Sequence, residues 1–314
     1  MTVSNWMDRT YQYIRERNMD MISYSVYELY QGLWSRFGKG YQTYSPIGNS
    51  IFEKNWDLLI VLDGCRVDLL EGLEDEYGML SNGSEFESLG SSTYEWMNKN
   101  FLKNPGELND LAYITGNPFS NKLLHESDFR ILEEVWKDSW DDEIGTIRAE
   151  RITDKAISIG RDSNVEDMIV HYMQPHFPSI PHPELGSNIE KNDFEGQWDS
   201  VWKKLQMGKI EEHTVWQAYL ANLRYVLDSV KLLINNVNFE KVIITSDHGN
   251  LFGEYHLYGH PSYVPIRELK RVPWYETSAN DSGNYTPHSS KTEDETLEEN
   301  EVDKRLKNLG YLQS

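Results

Sequence analysis

The residues best suited to chemistry stand where short apolar runs stop. Asp63 ends the run Trp56–Leu62, and Asp247 and His248 end Lys241–Ser246. His171 and the stretch Gln174–His176 belong to the end of a third run, Met168–Met173. Two carboxylates and an imidazole near a hydroxyl make a ligand set for Zn²⁺, Mn²⁺, Mg²⁺ or Ca²⁺. Thr93 supplies that hydroxyl after the small-residue stretch Gly90-Ser91-Ser92, where a helical pattern begins. A bound cation lowers the pKa of such a hydroxyl and makes it a nucleophile. A helix start also favours an anion through its unpaired N–H groups and its dipole. The chemistry expected is attack on a phosphate or sulfate ester. Taken singly, each residue also has a structural use: Asp63 and Thr93 as helix caps, Asp247-His248-Gly249 as a turn, His176 as a packed loop histidine.

These groups meet only if the chain aligns the ends of its strands. The runs 56–62, 111–115, 168–173 and 241–246 are short and continuously apolar, as in strands buried on both faces of a parallel sheet. Helical spacing lies between them, at 94–101, 147–159 and 213–236. The expected fold class is therefore α/β, with a mainly parallel central sheet and helices on both faces. In open sheets of this kind ligands gather at the carboxyl ends of the strands. Residues 1–50 are expected as an amphipathic helical lead-in, on the spacing of Tyr11, Ile14, Tyr24, Tyr27, Leu29 and Leu33, with a break at Phe37-Gly38-Lys39-Gly40. A catalytic domain over 51–275 follows. Then come an acidic mobile segment over 276–300 and a C-terminal segment, 301–314, that docks back on the body.

Composition narrows the partners. The chain has 314 residues with 51 acidic against 30 basic side chains, a net charge of −21. That balance argues against nucleic acid as a partner and equally against a polybasic membrane surface. It serves solubility and suits a halophilic, salty cytoplasm. Cys65 is the only cysteine, so there is no intramolecular disulfide and no thiolate zinc cluster. The polar N-terminal stretch has no signal-peptide core, and no apolar run reaches transmembrane length. A cytoplasmic location is expected.

Two segments carry a family resemblance. Trp56-Asp57-Leu58-Leu59-Ile60-Val61-Leu62-Asp63-Gly64-Cys65-Arg66-Val67-Asp68 resembles the opening strand and first metal-binding Asp of the sulfatase-like branch of the alkaline phosphatase superfamily, closest to the "WDxLxxLDACRxD" form of haloarchaeal sulfatase-like proteins. Ser246-Asp247-His248-Gly249-Asn250-Leu251-Phe252-Gly253-Glu254 is similar to the branch's "SDHGexxGE" metal motif, and Pro175-His176-Phe177-Pro178 to its "PHxP" loop. Tyr258-Gly259-His260-Pro261, Arg271-Val272-Pro273-Trp274 and the ending Leu309-Gly310-Tyr311 are similar to later stretches of the branch.

The resemblance implies an alkaline phosphatase/sulfatase-like fold. It implies one divalent metal (Mn, Ca, Zn or Mg) on Asp63, Asp247, His248 and Thr93, with room for a second. Thr93 is the implied nucleophile and Ser92 its alternative. His176 would face the substrate, His260 would donate to it or bind a second metal, and Arg66 would hold a substrate oxygen or brace the sheet. The Cys/Ser-x-Pro-x-Arg signature of sulfatases is absent, which turns the expectation from sulfur towards phosphorus. The expected function is a metal-dependent hydrolase or transferase acting on a small-molecule, glycan or lipid-carrier ester. The competing expectation is a catalytically weak binding or assembly module in surface-glycan production.

Overall fold

The computed structural model describes residues 3–45, 47–162, 165–186, 200–288, 299–309 and 311. Its centre is a seven-stranded sheet. In chain order the strands are β1 (Leu58–Leu62), β2 (Ser84–Glu87), β3 (Leu111–Thr115), β4 (Ile131–Glu134), β5 (Asp167–Tyr172), β6 (Phe239–Thr245) and β7 (Arg271–Ala279). Across the sheet they run β2-β7-β6-β1-β5-β3-β4. β4, β3, β5, β1 and β6 are parallel to one another, and β7 is antiparallel to both β6 and β2. The fold is thus α/β with a mostly parallel sheet flanked by helices, chief among them Ala149–Asp162 and Glu212–Ile234.

The burial of β1 explains its sequence. All five residues Leu58–Leu62 are buried, because helices and loops close both faces, and a run with no polar side chain satisfies both. Three strands were not legible in the pattern. β4 is only half-buried and carries Glu133 and Glu134, so it lacks an apolar run. β2 is four residues long, with Phe86 its one buried side chain. β7 contains Pro273, which supplies no N–H to a ladder and argues against a strand in sequence. β7 also runs on to Ala279, past the domain boundary expected at 275. Residues 289–298 of the acidic segment expected over 276–300 lie outside the described residues.

The lead-in is two helices, α1 (Val3–Glu16) and α2 (Met19–Tyr44). The chain reverses at Arg17, whose φ is 56°, and Asn18 caps α2 by accepting from the Met21 N–H at 3.2 Å. The expected break at Phe37–Gly40 does not occur: α2 continues through it to Tyr44. Gly38 serves packing instead. A Cβ there would lie 1.7 Å from the Tyr263 carbonyl oxygen, so the missing side chain lets the helix approach the body. Tyr27 and Trp34 of the same helix pack on Leu251, Leu257, Val264, Ile266 and Leu269.

Candidate active site

Strand register brings the site together. Leu62 pairs with Tyr172, Val61 with both His171 and Thr245, and Thr115 with His171. The carboxyl ends of β1, β3, β5 and β6 therefore fall level, and the residues just past them face one another. Gly64 turns the chain immediately after Asp63 with φ +66°, and a Cβ there would lie 2.8 Å from Asn250 Nδ2. Its N–H donates to Asp247 Oδ1 at 2.9 Å, tying the two acidic strand ends together across the sheet.

Asp63, His171 and Asp247 are fully buried, and each offers a ligand atom within 4.8 Å of the others. Asp63 Oδ1, Asp247 Oδ2 and His171 Nε2 have no hydrogen-bond partner. Buried polar atoms are almost always paired, so three converging orphans fit a cation. His171 Nε2 lies 3.9 Å from Asp247 Oδ2 and 4.0 Å from Asp63 Oδ2. Its Nδ1 is 2.8 Å from the Tyr113 hydroxyl. Donation of Nδ1–H to Tyr113 leaves the Nε2 lone pair directed at the carboxylates, as a ligand role requires. His248 Nε2 is close by, 3.4 Å from Asp247 Oδ2 and 3.7 Å from Asp63 Oδ1. Its Nδ1 lies 2.7 Å from the Gly249 carbonyl, so Nδ1 carries the proton and Nε2 is the acceptor.

The electrostatics show what the pair lacks. Burial, and then the charge of Asp247, push the Asp63 carboxyl well above the usual carboxylate range. Asp247 is buried too, but His248, His171 and the Gly64 N–H outweigh burial and hold it below that range. Two buried carboxylates this close cannot both ionise without a neighbouring positive charge. A divalent ion would supply it.

The structure separates Thr93 from Ser92. Helix α3 (Thr93–Asn100) starts at Thr93, and Ser92 is its N-cap, accepting from the Glu95 N–H at 3.4 Å. Ser92 Oγ otherwise pairs with Ser262 Oγ at 2.7 Å. Thr93 Oγ1 instead enters the acidic cluster, 3.3 Å from Asp63 Oδ2 and 3.2 Å from His248 Nε2.

The remaining residues named from sequence fall in two places. His176 and His260 form a pair, Nε2 to Nε2 at 2.8 Å, and His260 stacks on His248 with 4.7 Å between ring centroids. His176 Nδ1 abuts the Phe177 carbonyl, so the shared proton belongs to His260 Nε2 and His260 Nδ1 is left without a partner. Burial lowers both, His176 to about 4 and His260 well below the usual histidine value. Arg66 lies in a bracing network: it donates to Asp68, to Glu254 at 2.7 Å and to the Asn250 carbonyl at 2.8 Å.

Sequence reasoning missed three contributors. It placed His171 at a strand end without a ligand role, although a lone ionisable residue within an apolar strand is itself a signal. Asn117 and Tyr311 donate to Asp63 Oδ2 at 2.9 and 2.6 Å. Asn117 stands two residues past β3, which is a signal of position, whereas Tyr311 is marked in the sequence only as part of the ending Leu309-Gly310-Tyr311, with no role attached. A cleft of about 460 Å³ opens beside this cluster, lined by Ser92, Tyr94, Phe119, Trp202, His260 and Tyr311 among others.

No protein-family model matches the chain, and no curated protein sequence does. Solved structures do. The soluble domain of lipooligosaccharide phosphoethanolamine transferase A from Neisseria meningitidis is 13% identical, with a TM-score of 0.46 over 74% of this chain and 79% of that one. The C-terminal periplasmic domain of EcEptC from Escherichia coli, in complex with Zn, is 13% identical, with a TM-score of 0.46 over 74% and 76%. A protein in the alkaline phosphatase superfamily from Vibrio parahaemolyticus is 12% identical, with a TM-score of 0.39 over 75% and 62%. Sulfatases are also among the similar structures.

One expectation is corrected. Similar structures include periplasmic domains, which overturns the cytoplasmic location expected from the polar N-terminal stretch. Such a stretch says only what that segment lacks. Among the described residues no helix is long and apolar enough to cross a membrane.

Proposed function

We propose that this chain is a metal-dependent enzyme that hydrolyses or transfers a phosphate or sulfate ester, with Thr93 as nucleophile. The observation that carries the reading is the convergence of three orphaned ligand atoms on Asp63, Asp247 and His171, with the Thr93 hydroxyl at their side. Asp63, Asp247, His171 and His248 would hold a divalent ion, Zn²⁺, Mn²⁺, Mg²⁺ or Ca²⁺. When bound, it would supply a Lewis acid for the ester oxygen and a lowered pKa for the Thr93 hydroxyl.

The protein's own groups do the rest. Tyr311 and Asn117 fix Asp63 Oδ2 by donating to it, which keeps Asp63 Oδ1 turned inward. Thr93 Oγ1 attacks phosphorus or sulfur in line and passes its proton to Asp63 Oδ2, 3.3 Å away. The bond to the ester oxygen breaks and the alcohol leaves; water or an acceptor alcohol then takes the group from Thr93 and the hydroxyl is restored. The first N–H groups of α3 face the charge that grows on the transferred group. His260, whose unprotonated Nδ1 is buried without a partner and whose ring lines the cleft, accepts a hydrogen bond from a substrate or acceptor hydroxyl, with His176 behind it. Ser92 acts as helix cap, and Arg66 braces the loop after β1. The missing sulfatase signature favours phosphorus over sulfur.

The test is turnover of aryl phosphomonoesters, phosphodiesters and sulfates with added Mn²⁺, Zn²⁺ or Ca²⁺, beside elemental analysis of the protein. Stoichiometric metal and ester cleavage lost in both Thr93→Ala and Asp247→Ala are expected. Wild-type rates in both variants overturn the mechanism, and a protein that takes up no metal favours a binding module instead.

A further inference from the structure

The N-terminal helices are apolar on a face that the body does not cover. The large hydrophobic side chains exposed on them are Met7, Tyr11 and Ile14 of α1 and Met19, Val26, Leu29, Tyr30, Leu33, Phe37, Tyr41 and Tyr44 of α2. Elsewhere among the described residues only Leu102 and Tyr255 are so exposed. On α2 the spacing is three or four residues from Val26 to Tyr44, which makes one continuous stripe along the helix. Met7, Tyr11 and Ile14 repeat the spacing on α1. Leu33 is 55% and Phe37 64% exposed, although Tyr27 and Trp34 of the same helix are packed against the body. Single exposed apolar residues need no explanation, but an unbroken stripe does.

Charge selects the partner. Residues 3–45 carry five basic side chains (Arg9, Arg15, Arg17, Arg36, Lys39) against four acidic ones, in a chain whose net charge is −21. Arg9 is paired with Glu28 at 3.1 Å, which leaves Arg15, Arg17, Arg36 and Lys39 exposed against Asp8, Glu16 and Asp20, a small positive excess on an otherwise acidic chain. A second copy docked face to face would bring two strongly acidic bodies together. A lipid surface with anionic headgroups complements the exposed cations: apolar side chains enter the acyl boundary while Arg and Lys reach up to the phosphates. The acidic body stands off, where screening over about 10 Å at 0.1 M salt weakens its repulsion.

We infer that the α1–α2 hairpin is a membrane-surface anchor that lies flat on an anionic bilayer. The surface is independent of the reading of the active site. It has a geometric consequence for that site all the same. The cleft lined by His260 and Tyr311 has Trp6, Gly32 and Arg36 of the hairpin as its other wall, so anchoring sets its mouth beside the lipid.

Flotation of the full chain with vesicles of three parts phosphatidylcholine to one part phosphatidylglycerol tests this. The wild-type chain is expected to float, to float several-fold less with phosphatidylcholine alone, and to lose at least about tenfold in partitioning as Leu33→Glu/Phe37→Glu. Arg15→Glu/Arg36→Glu should lose the preference for anionic vesicles while keeping weak binding. Both variants change exposed side chains, and unchanged circular dichroism and melting would show that the fold persists. A wild-type chain that does not float overturns the anchor. If sedimentation velocity then shows a dimer that Leu33→Glu/Phe37→Glu abolishes, the stripe is an interface between copies.

Discussion

Thr93 Oγ1 lies 3.3 Å from Asp63 Oδ2, inside a fully buried cluster, although Asp63 ends a strand and Thr93 begins a helix. Its neighbour Ser92 carries the same functional group and points elsewhere, towards Ser262 and the Glu95 N–H. The difference is one of helix geometry: a cap residue bonds back to its own helix, and the next residue is free to face outward along the axis.

Substitutions at the two hydroxyls should therefore part company. Thr93→Ala is expected to lower ester turnover at least about 1,000-fold, and Thr93→Ser to stay within about tenfold. Ser92→Ala should cost about 1 kcal/mol of stability through the lost cap and leave kcat near wild type. Steady-state kinetics beside denaturant melts check both. Equal losses at the two positions would refute the assignment.

Metal removal should expose the repulsion between Asp63 and Asp247. Burial and Asp247 raise the Asp63 carboxyl, so that pair is a liability without a cation. In chelator-treated protein Asp63→Asn is expected to be more stable than wild type by on the order of 1–3 kcal/mol. Adding metal should raise the wild-type Tm and leave that of Asp63→Asn nearly unchanged. Calorimetry with and without chelator reads both effects.

Acid sensitivity should pass through His176. Burial, and then His248, lower its pKa from 6.5 to about 4, so the folded protein holds this imidazole neutral while the unfolded chain protonates it. The unfolded state binds the extra proton between those two values. Stability from this group is thus complete above about pH 6.5 and is lost as pH falls towards 4, on the order of 3 kcal/mol in all. The slope of stability against pH across that window should be shallower in His176→Gln, measured by urea melts at stepped pH. An unchanged slope would mean that other groups carry the acid transition.

Two glycines of one helix should respond in opposite senses. Gly38→Ala places a Cβ 1.7 Å from the Tyr263 carbonyl oxygen and must push α2 off the body. A loss on the order of 1–3 kcal/mol is expected. Gly40→Ala meets nothing within 4 Å and should stabilise by about 0.5–1 kcal/mol. Thermal melts of the two variants give the comparison.

What the sequence alone determined was local: apolar runs short enough and continuous enough to be strands buried on both faces, and polar residues at their ends. Asp63, Asp247 and His248 were legible because a strand's end is a place in the sequence as well as in space. Gly38 was misread because the same missing side chain that breaks a helix also lets one approach a neighbour, and only packing distinguishes the two uses. The tertiary structure alone decided the contacts that depend on register and on long chain separation. His171 joined the cluster because β5 pairs with β1 and β3 in one particular alignment. Tyr311 reached Asp63 from 248 residues away, a distance at which no spacing rule operates. The outward stripe of α2 belongs with these: sequence periodicity gives an apolar helix, but which of its faces the body covers is settled only when the body is in place.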